Sequence, residues 1–193
     1  MATDMIVMRP RRDPREPGDT DKQLLGDGLV RVDYGEPGQV FLVQVTQVPR
    51  VSLLDAARPL GGLDDGIEVW LAGVTVDTFV AVTLQGRGAA AESALQRYKD
   101  QRAGWDAAVQ ARPDAASPAW PAERLLVVNL TLSDNLGTEY QINSGQTGGI
   151  GREWLNVWHY LPMPPPEATT LHLAGQVGDD ITTLELALPA HTP

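Results

Sequence analysis

Two histidines are the first candidates for chemistry, because a neutral imidazole can bind a metal or move a proton near neutral pH. His159 and His172 flank a proline-rich turn, and pairing of their strands would bring two zinc ligands together. A catalytic zinc usually takes three protein ligands, and no third is evident. Ser144, His159 and an aspartate would compose a nucleophilic triad, but the serine has no Gly-x-Ser-x-Gly elbow. We therefore predict no catalytic residue, no metal site and no cofactor.

Aromatic side chains are the second candidates. Alternate residues of a strand share a face, so Trp154, Trp158 and Tyr160 should lie together with Asn156. This face could be a platform for sugar rings or for apolar residues of a partner. It could equally fill a core, which is the economical use of so few aromatics. We name Trp70 together with the three aromatics as the candidate binding residues.

Carboxylates near these rings suggest a hydrolase as the alternative. A glycoside hydrolase needs two carboxyl groups that face each other across a cleft. Asp64, Asp65 and Glu153 are the residues that could provide them. The sequence alone does not establish that any two of them meet.

Two polar or glycine-rich motifs are better explained as turns than as sites. Residues 133–138 contain Asp, Asn and Gly, which stabilise a tight turn, and we expect a hairpin joining strands at 125–132 and 138–142. Residues 145–151 contain four glycines, but a phosphate-binding loop would be followed by a helix. A strand follows here instead, so we expect a flexible turn.

The proline run at 162–166 should end that strand, although a polyproline ligand is the other interpretation.

Charge and composition exclude several classes of partner. The chain has 193 residues and a net charge of -10, and residues 1–23 contribute five basic and five acidic side chains that cancel. The remainder would repel phosphate groups, so we predict no nucleic-acid and no membrane partner. There is no cysteine and no apolar run long enough to span a membrane. We expect a cytoplasmic protein.

The elements that must position these residues are mostly strands. Short apolar runs alternate with Gly and Pro, which is typical of an antiparallel all-β sandwich of about eight strands. The Ala-rich segment 89–111 predicts one helical insertion, broken near Gly104 and ended by prolines, which could cover the two-sided strands. We expect a flexible tail at 1–23 and one domain at 24–193. The main predicted strands cover residues 29–34, 40–48, 67–74, 76–84, 125–132, 169–173 and 181–188.

The C-terminal third resembles a group of uncharacterised actinobacterial proteins. The resemblance rests on Leu136-Gly-Thr, the glycine-rich loop, the run from Trp154 to Pro166, and Leu171-His-Leu173. It implies an immunoglobulin-like β-sandwich and no activity. The predicted function is a non-enzymatic intracellular binding or assembly module, with a protein partner or self-association as a possible homodimer. The alternative is a carbohydrate-active or other hydrolase.

Overall fold

The computed structural model describes residues 21–26, 29–33, 40–44, 50–110 and 112–189. The chain divides into two compact units, Met1–Pro49 and Arg50–Pro193. The first unit contains a three-stranded antiparallel sheet in the order β1-β2-β3. These strands are β1 (Asp21–Gly26), β2 (Leu29–Asp33) and β3 (Val40–Gln44).

The boundary between the two units falls within the single domain that the sequence predicts at 24–193, and that domain stays a prediction. The strands predicted at 29–34 and 40–48 belong to the first unit, and residues 34 and 45–48 lie outside the described residues. Most of the predicted tail also lies outside them, and its last three residues begin β1.

The described part of the second unit is mostly β, with antiparallel sheets. In the larger sheet the order is β4-β6-β7-β10-β9, and β5 pairs with β6 on the same side as β4. In the smaller sheet the order is β12-β11-β8. The strands are β4 (Val51–Ser52), β5 (Arg58–Gly62), β6 (Glu68–Val76), β7 (Val80–Arg87), β8 (Asn129–Asp134), β9 (Gln141–Thr147), β10 (Leu155–Leu161), β11 (Thr170–Val177) and β12 (Asp180–Ala187).

One cluster of buried apolar side chains takes its members from both sheets of this unit. Side chains alternate between the two faces of a strand, and this explains which residues belong to the cluster. Val69 and Leu71 on β6 share one face, as do Leu171 and Leu173 on β11. All four are at most 1% exposed. The cluster therefore lies against one face of each sheet, and the other faces are turned outward.

A single helix, α1 (Ala89–Val109), follows β7 and confirms the helix predicted at 89–111. The break expected near Gly104 does not occur. Its first half packs on a second small cluster formed by Ile67, Ala91 and Trp154. A 3-10 helix (Pro121–Val127) then leads into β8, so the strand predicted at 125–132 begins later than expected.

The predicted hairpin over residues 133–138 is a turn of a different kind. The turn exists, but β8 belongs to the smaller sheet and β9 to the larger one. An isolated bridge joins Ser133 on β8 to Glu139, which precedes β9, and no ladder pairs the two strands. The chain therefore crosses between sheets at this corner, and β8 pairs with β11 instead.

Candidate functional site

Three tryptophans lie directly over glycines. A Cβ atom built on Gly86 would lie 2.4 Å from the Trp154 ring, and one on Gly145 would lie 2.5 Å from the Trp158 ring. Trp120 covers Gly148 in the same way, at 2.5 Å. Any larger residue would collide with the ring, so these glycines make room for it.

Two of the candidate binding residues are buried. Trp154 is 7% exposed, and its indole Nε1 donates a hydrogen bond to the Ala91 carbonyl at 2.9 Å, which ties α1 to the start of β10. Tyr160 is 2% exposed, and burial raises the pKa of its phenol to about 12. Neither ring offers a surface to a partner. Their placement agrees with the interpretation of this face as core.

The other two candidates keep part of their surface. Trp70 lies on the outer face of the larger sheet, where its Nε1 donates to Glu68 Oε2 at 3.0 Å and the Arg87 guanidinium sits 4.7 Å from the ring centre. Trp158 is half-buried, packs against the main core and neighbours Gly145 on β9. The four candidates therefore do not form one surface.

Ser144 and His159 do come together. They are opposite each other on β9 and β10, and Ser144 Oγ lies 3.0 Å from His159 Nδ1. Phe79 contacts the imidazole with ring centres 4.4 Å apart. No carboxylate of the described residues hydrogen-bonds to this ring, so a triad is not assembled.

The second histidine lies elsewhere. His172 is on β11 in the smaller sheet, with Nδ1 3.8 Å from Glu185 Oε1. The strands of the two histidines do not pair, because the proline-rich segment leads from one sheet to the other. Within the described ranges, no group of three or more His, Asp or Glu could hold a metal ion.

The carboxylates proposed for a hydrolase are separated. Asp64 and Asp65 lie in the turn between β5 and β6 and line a cavity of about 580 Å³. Asp65 forms an ion pair with Arg124, which also lines the cavity. None of its described lining residues is aromatic, and Glu153 is not among them. Glu153 accepts a hydrogen bond from the Gly151 amide instead.

Asp134 is buried and organises the corner between the sheets. Its Oδ1 accepts hydrogen bonds from the amides of Leu136 and Thr138 at 2.9 and 3.0 Å, and its Oδ2 accepts one from the Tyr140 hydroxyl at 2.9 Å. Burial alone would raise the pKa of Asp134, but the hydrogen bonds from Thr138, Tyr140 and Leu136 outweigh it and lower the pKa. Burial and the neighbouring carboxylate raise the pKa of Tyr140. This cluster stabilises the turn that the sequence predicted. Both carboxylate oxygens of Asp134 accept hydrogen bonds from within the turn or from Tyr140.

The free edge of β9 is the feature that the sequence did not single out. β9 pairs with β10 on one side, and no described strand pairs with its other side. Six of its seven residues are exposed. Five of the eight exposed large apolar side chains of the described residues fall between residues 136 and 163, with Ile142 on β9 itself and Leu161 opposite Gln141 on β10. These are Leu136 at 53% exposed, Ile142 at 54%, Ile150 at 95%, Leu161 at 39% and Met163 at 43%.

The same region is almost uncharged. Residues 140–166 contain only two charged side chains, Arg152 and Glu153, in a chain that is 21% charged. This long neutral run is a sequence signal that could have located the surface. We call the exposed part of β9, with Leu136 before it and Ile150 after it, the β9 edge.

Comparisons with protein-family models, curated proteins and solved structures found no match. Among the described residues, no helix combines the length and the apolar character that a membrane span requires. The geometry of the chain itself therefore carries the functional argument.

Proposed function

We propose that this protein is an assembly module that binds a second copy of its own chain through the β9 edge. The observation that carries the proposal is the free, exposed edge of β9, a strand without charged side chains that bears the exposed Ile142 and lies between the exposed Leu136 and Ile150 in the chain. Contiguous exposed apolar surface on a folded protein commonly marks a protein interface.

Electrostatic repulsion determines which surface two copies of this chain can use for contact. Each chain carries a net charge of -10, so two copies repel each other wherever their acidic surfaces meet. Salt screens such repulsion over about 8 Å at physiological ionic strength. Residues 140–166 contain only one carboxylate, Glu153, so contact through them brings few acidic side chains together. Two copies that meet through these residues therefore experience the least electrostatic repulsion.

The fold supports this role. The smaller sheet presents a polar outer face, with Thr131, Ser133, His172 and Thr183, which is suited to water. We propose an immunoglobulin-like sandwich, supported by two antiparallel sheets around one core and by the crossing at Asp134. We also propose that the chain is related to the actinobacterial proteins that its C-terminal third resembles.

Sedimentation velocity of the full chain tests the proposal. We expect a concentration-dependent shift from monomer to dimer, and a tighter dimer at 0.5 M than at 0.05 M sodium chloride, because salt screens the repulsion between acidic copies. A monomeric mass at every concentration up to the millimolar range would overturn it.

A further inference from the structure

We infer that Ser133, His172 and Glu185 form a nucleophilic site on the outer face of the smaller sheet, which cleaves small activated carboxylic esters. This inference goes beyond the proposed assembly role, because the site lies on the smaller sheet and β9 belongs to the larger one. The three residues come from the neighbouring strands β8, β11 and β12. A serine, histidine and carboxylate set is recognised by geometry and roles, not by positions in the sequence.

The register of the smaller sheet places these residues in one row. Ser133 is directly opposite His172 on one side, and Glu185 is directly opposite His172 on the other. Directly opposite residues of an antiparallel pair share a face, with Cβ atoms about 4.5–5.5 Å apart. The row therefore has the order of a nucleophile, its base and the group that orients the base.

The orientation of the imidazole agrees with this order. His172 Nδ1 lies 3.8 Å from Glu185 Oε1, and Nδ1 is the nitrogen that faces the carboxylate in a serine, histidine and aspartate triad. The Nε2 atom then remains for Ser133. Ser133 makes no side-chain hydrogen bond within the described residues, so its hydroxyl is free to rotate toward Nε2. Catalytic hydrogen bonds are often long without substrate and shorten when substrate binds.

A cavity gives a substrate access to the row. It has a volume of about 380 Å³ and is lined by all three residues, which suits a small ligand. Thr131 and Thr183 line the same cavity, and they flank Ala174 in the next row of the sheet. Hydroxyl groups beside a reacting carbonyl can donate to the oxyanion of the tetrahedral intermediate. The small side chain between them leaves room for a short acyl group.

The reaction is acyl transfer followed by hydrolysis. Ser133 Oγ forms a bond to the ester carbonyl carbon, His172 Nε2 takes the hydroxyl proton, and the bond to the leaving alkoxide breaks as it receives that proton. Water then attacks the acyl-serine, loses a proton to the same nitrogen, and releases the carboxylic acid and the free serine. Glu185 does not touch the substrate. It is a positioning residue that holds the imidazole and stabilises the imidazolium.

The larger sheet contains a matched serine and histidine pair without an orienting acid. Ser144 Oγ lies 3.0 Å from His159 Nδ1, and no carboxylate of the described residues hydrogen-bonds to that ring. The two pairs in one chain therefore differ in the group that fixes the imidazole. Of the two serines, Ser133 should be the reactive one.

Hydrolysis of p-nitrophenyl acetate tests the inference. Ser133→Ala and His172→Asn should each lower kcat/KM at least about tenfold, and Ser144→Ala should change it less than about twofold. Glu185→Gln should lower kcat at least about threefold and leave KM unchanged, because the residue acts through the base. The Glu185 side chain is 80% exposed, so this variant should unfold in urea like the natural chain.

A fluorophosphonate probe provides a second readout that uses the natural chain and no variant. An activated serine displaces its fluoride and becomes phosphonylated, and peptide mass spectrometry should find the adduct on Ser133 and not on Ser144. Labelling of neither serine or of both equally, or hydrolysis that is unchanged in Ser133→Ala, would overturn the inference and leave the assembly role standing. A monomeric chain with a reactive Ser133 would instead overturn only the assembly role.

Discussion

At the residue scale, the glycines beneath the tryptophans decide how the strands pack. Gly86 has no Cβ atom, so the Trp154 ring can lie flat against β7 and still reach the Ala91 carbonyl of α1. The ring thereby joins a strand and a helix. Sequence patterning predicted the shared face of the tryptophans, but the partners of each ring come from distant strands and could not be inferred.

Gly86→Ala should therefore lower the free energy of unfolding by about 1–3 kcal/mol, the usual cost of an overpacked core. Gly104→Ala is the control, because nothing lies within 4 Å of its added methyl group in the middle of α1. It should raise the free energy of unfolding by up to about 1 kcal/mol through helix propensity. Urea unfolding measures both values, and a Gly86→Ala variant as stable as the natural chain would refute the packing argument.

Asp134 is a second single residue on which the stability of the fold depends. Its lowered pKa means that the folded state favours the carboxylate, so its contribution is complete above the ordinary pKa of 3.8. The contribution is lost as the pH falls through the lower pKa of the folded state.

Asp134→Asn should lower the free energy of unfolding at pH 7 by about 1–3 kcal/mol, since it weakens several buried hydrogen bonds. The stability difference from the natural chain should shrink as the pH falls below about 4. Tyr140→Phe removes only one of the bonds and should lose less at pH 7. Urea titrations between pH 2.5 and 7 measure these differences, and a pH-independent gap would contradict the assigned role.

At the element scale, alternation and composition predicted much of the fold. The helix at 89–111 was identified by its Ala-rich sequence, and the strand pair from 67 to 84 is the hairpin of β6 and β7. β5 was missed because its sequence, Arg-Pro-Leu-Gly-Gly, looks like a turn. The corner at Asp134 was predicted as a hairpin because a tight turn looks the same within one sheet and between two. Only the pairing of β8 with β11 distinguishes these cases.

The helix was expected to cover the outer side of the two-sided strands. It packs instead on Trp154 and Ile67, at one end of the larger sheet. Leu155, Val157 and His159, on the other parity of β10, remain half-buried. The apolar residues on both faces of β10 therefore correctly indicated that neither face is fully exposed. The structure identifies α1 as the element that covers the Trp154 end, which the sequence did not.

At the scale of the whole molecule, an acidic chain contains a long run, residues 140–166, with only two charged side chains. The net charge of -10 was evident from composition, but the position of the neutral run at a free sheet edge was not. That position depends on strand order, because the same residues on a central strand would be paired on both sides. Strand order follows from contacts between distant segments, which a single sequence does not display.

The dissociation constant of the dimer, measured by sedimentation equilibrium for matched variants, tests the central claim most directly. Ile150→Asp replaces a 95% exposed side chain on the β9 edge, and Ile181→Asp replaces a 69% exposed one on β12. Burial of one isoleucine contributes about 1.5–3 kcal/mol, so Ile150→Asp should weaken the dimer at least tenfold. Ile181→Asp should change the constant less than twofold. Equal weakening by both variants, or none by Ile150→Asp, would contradict assembly through the β9 edge.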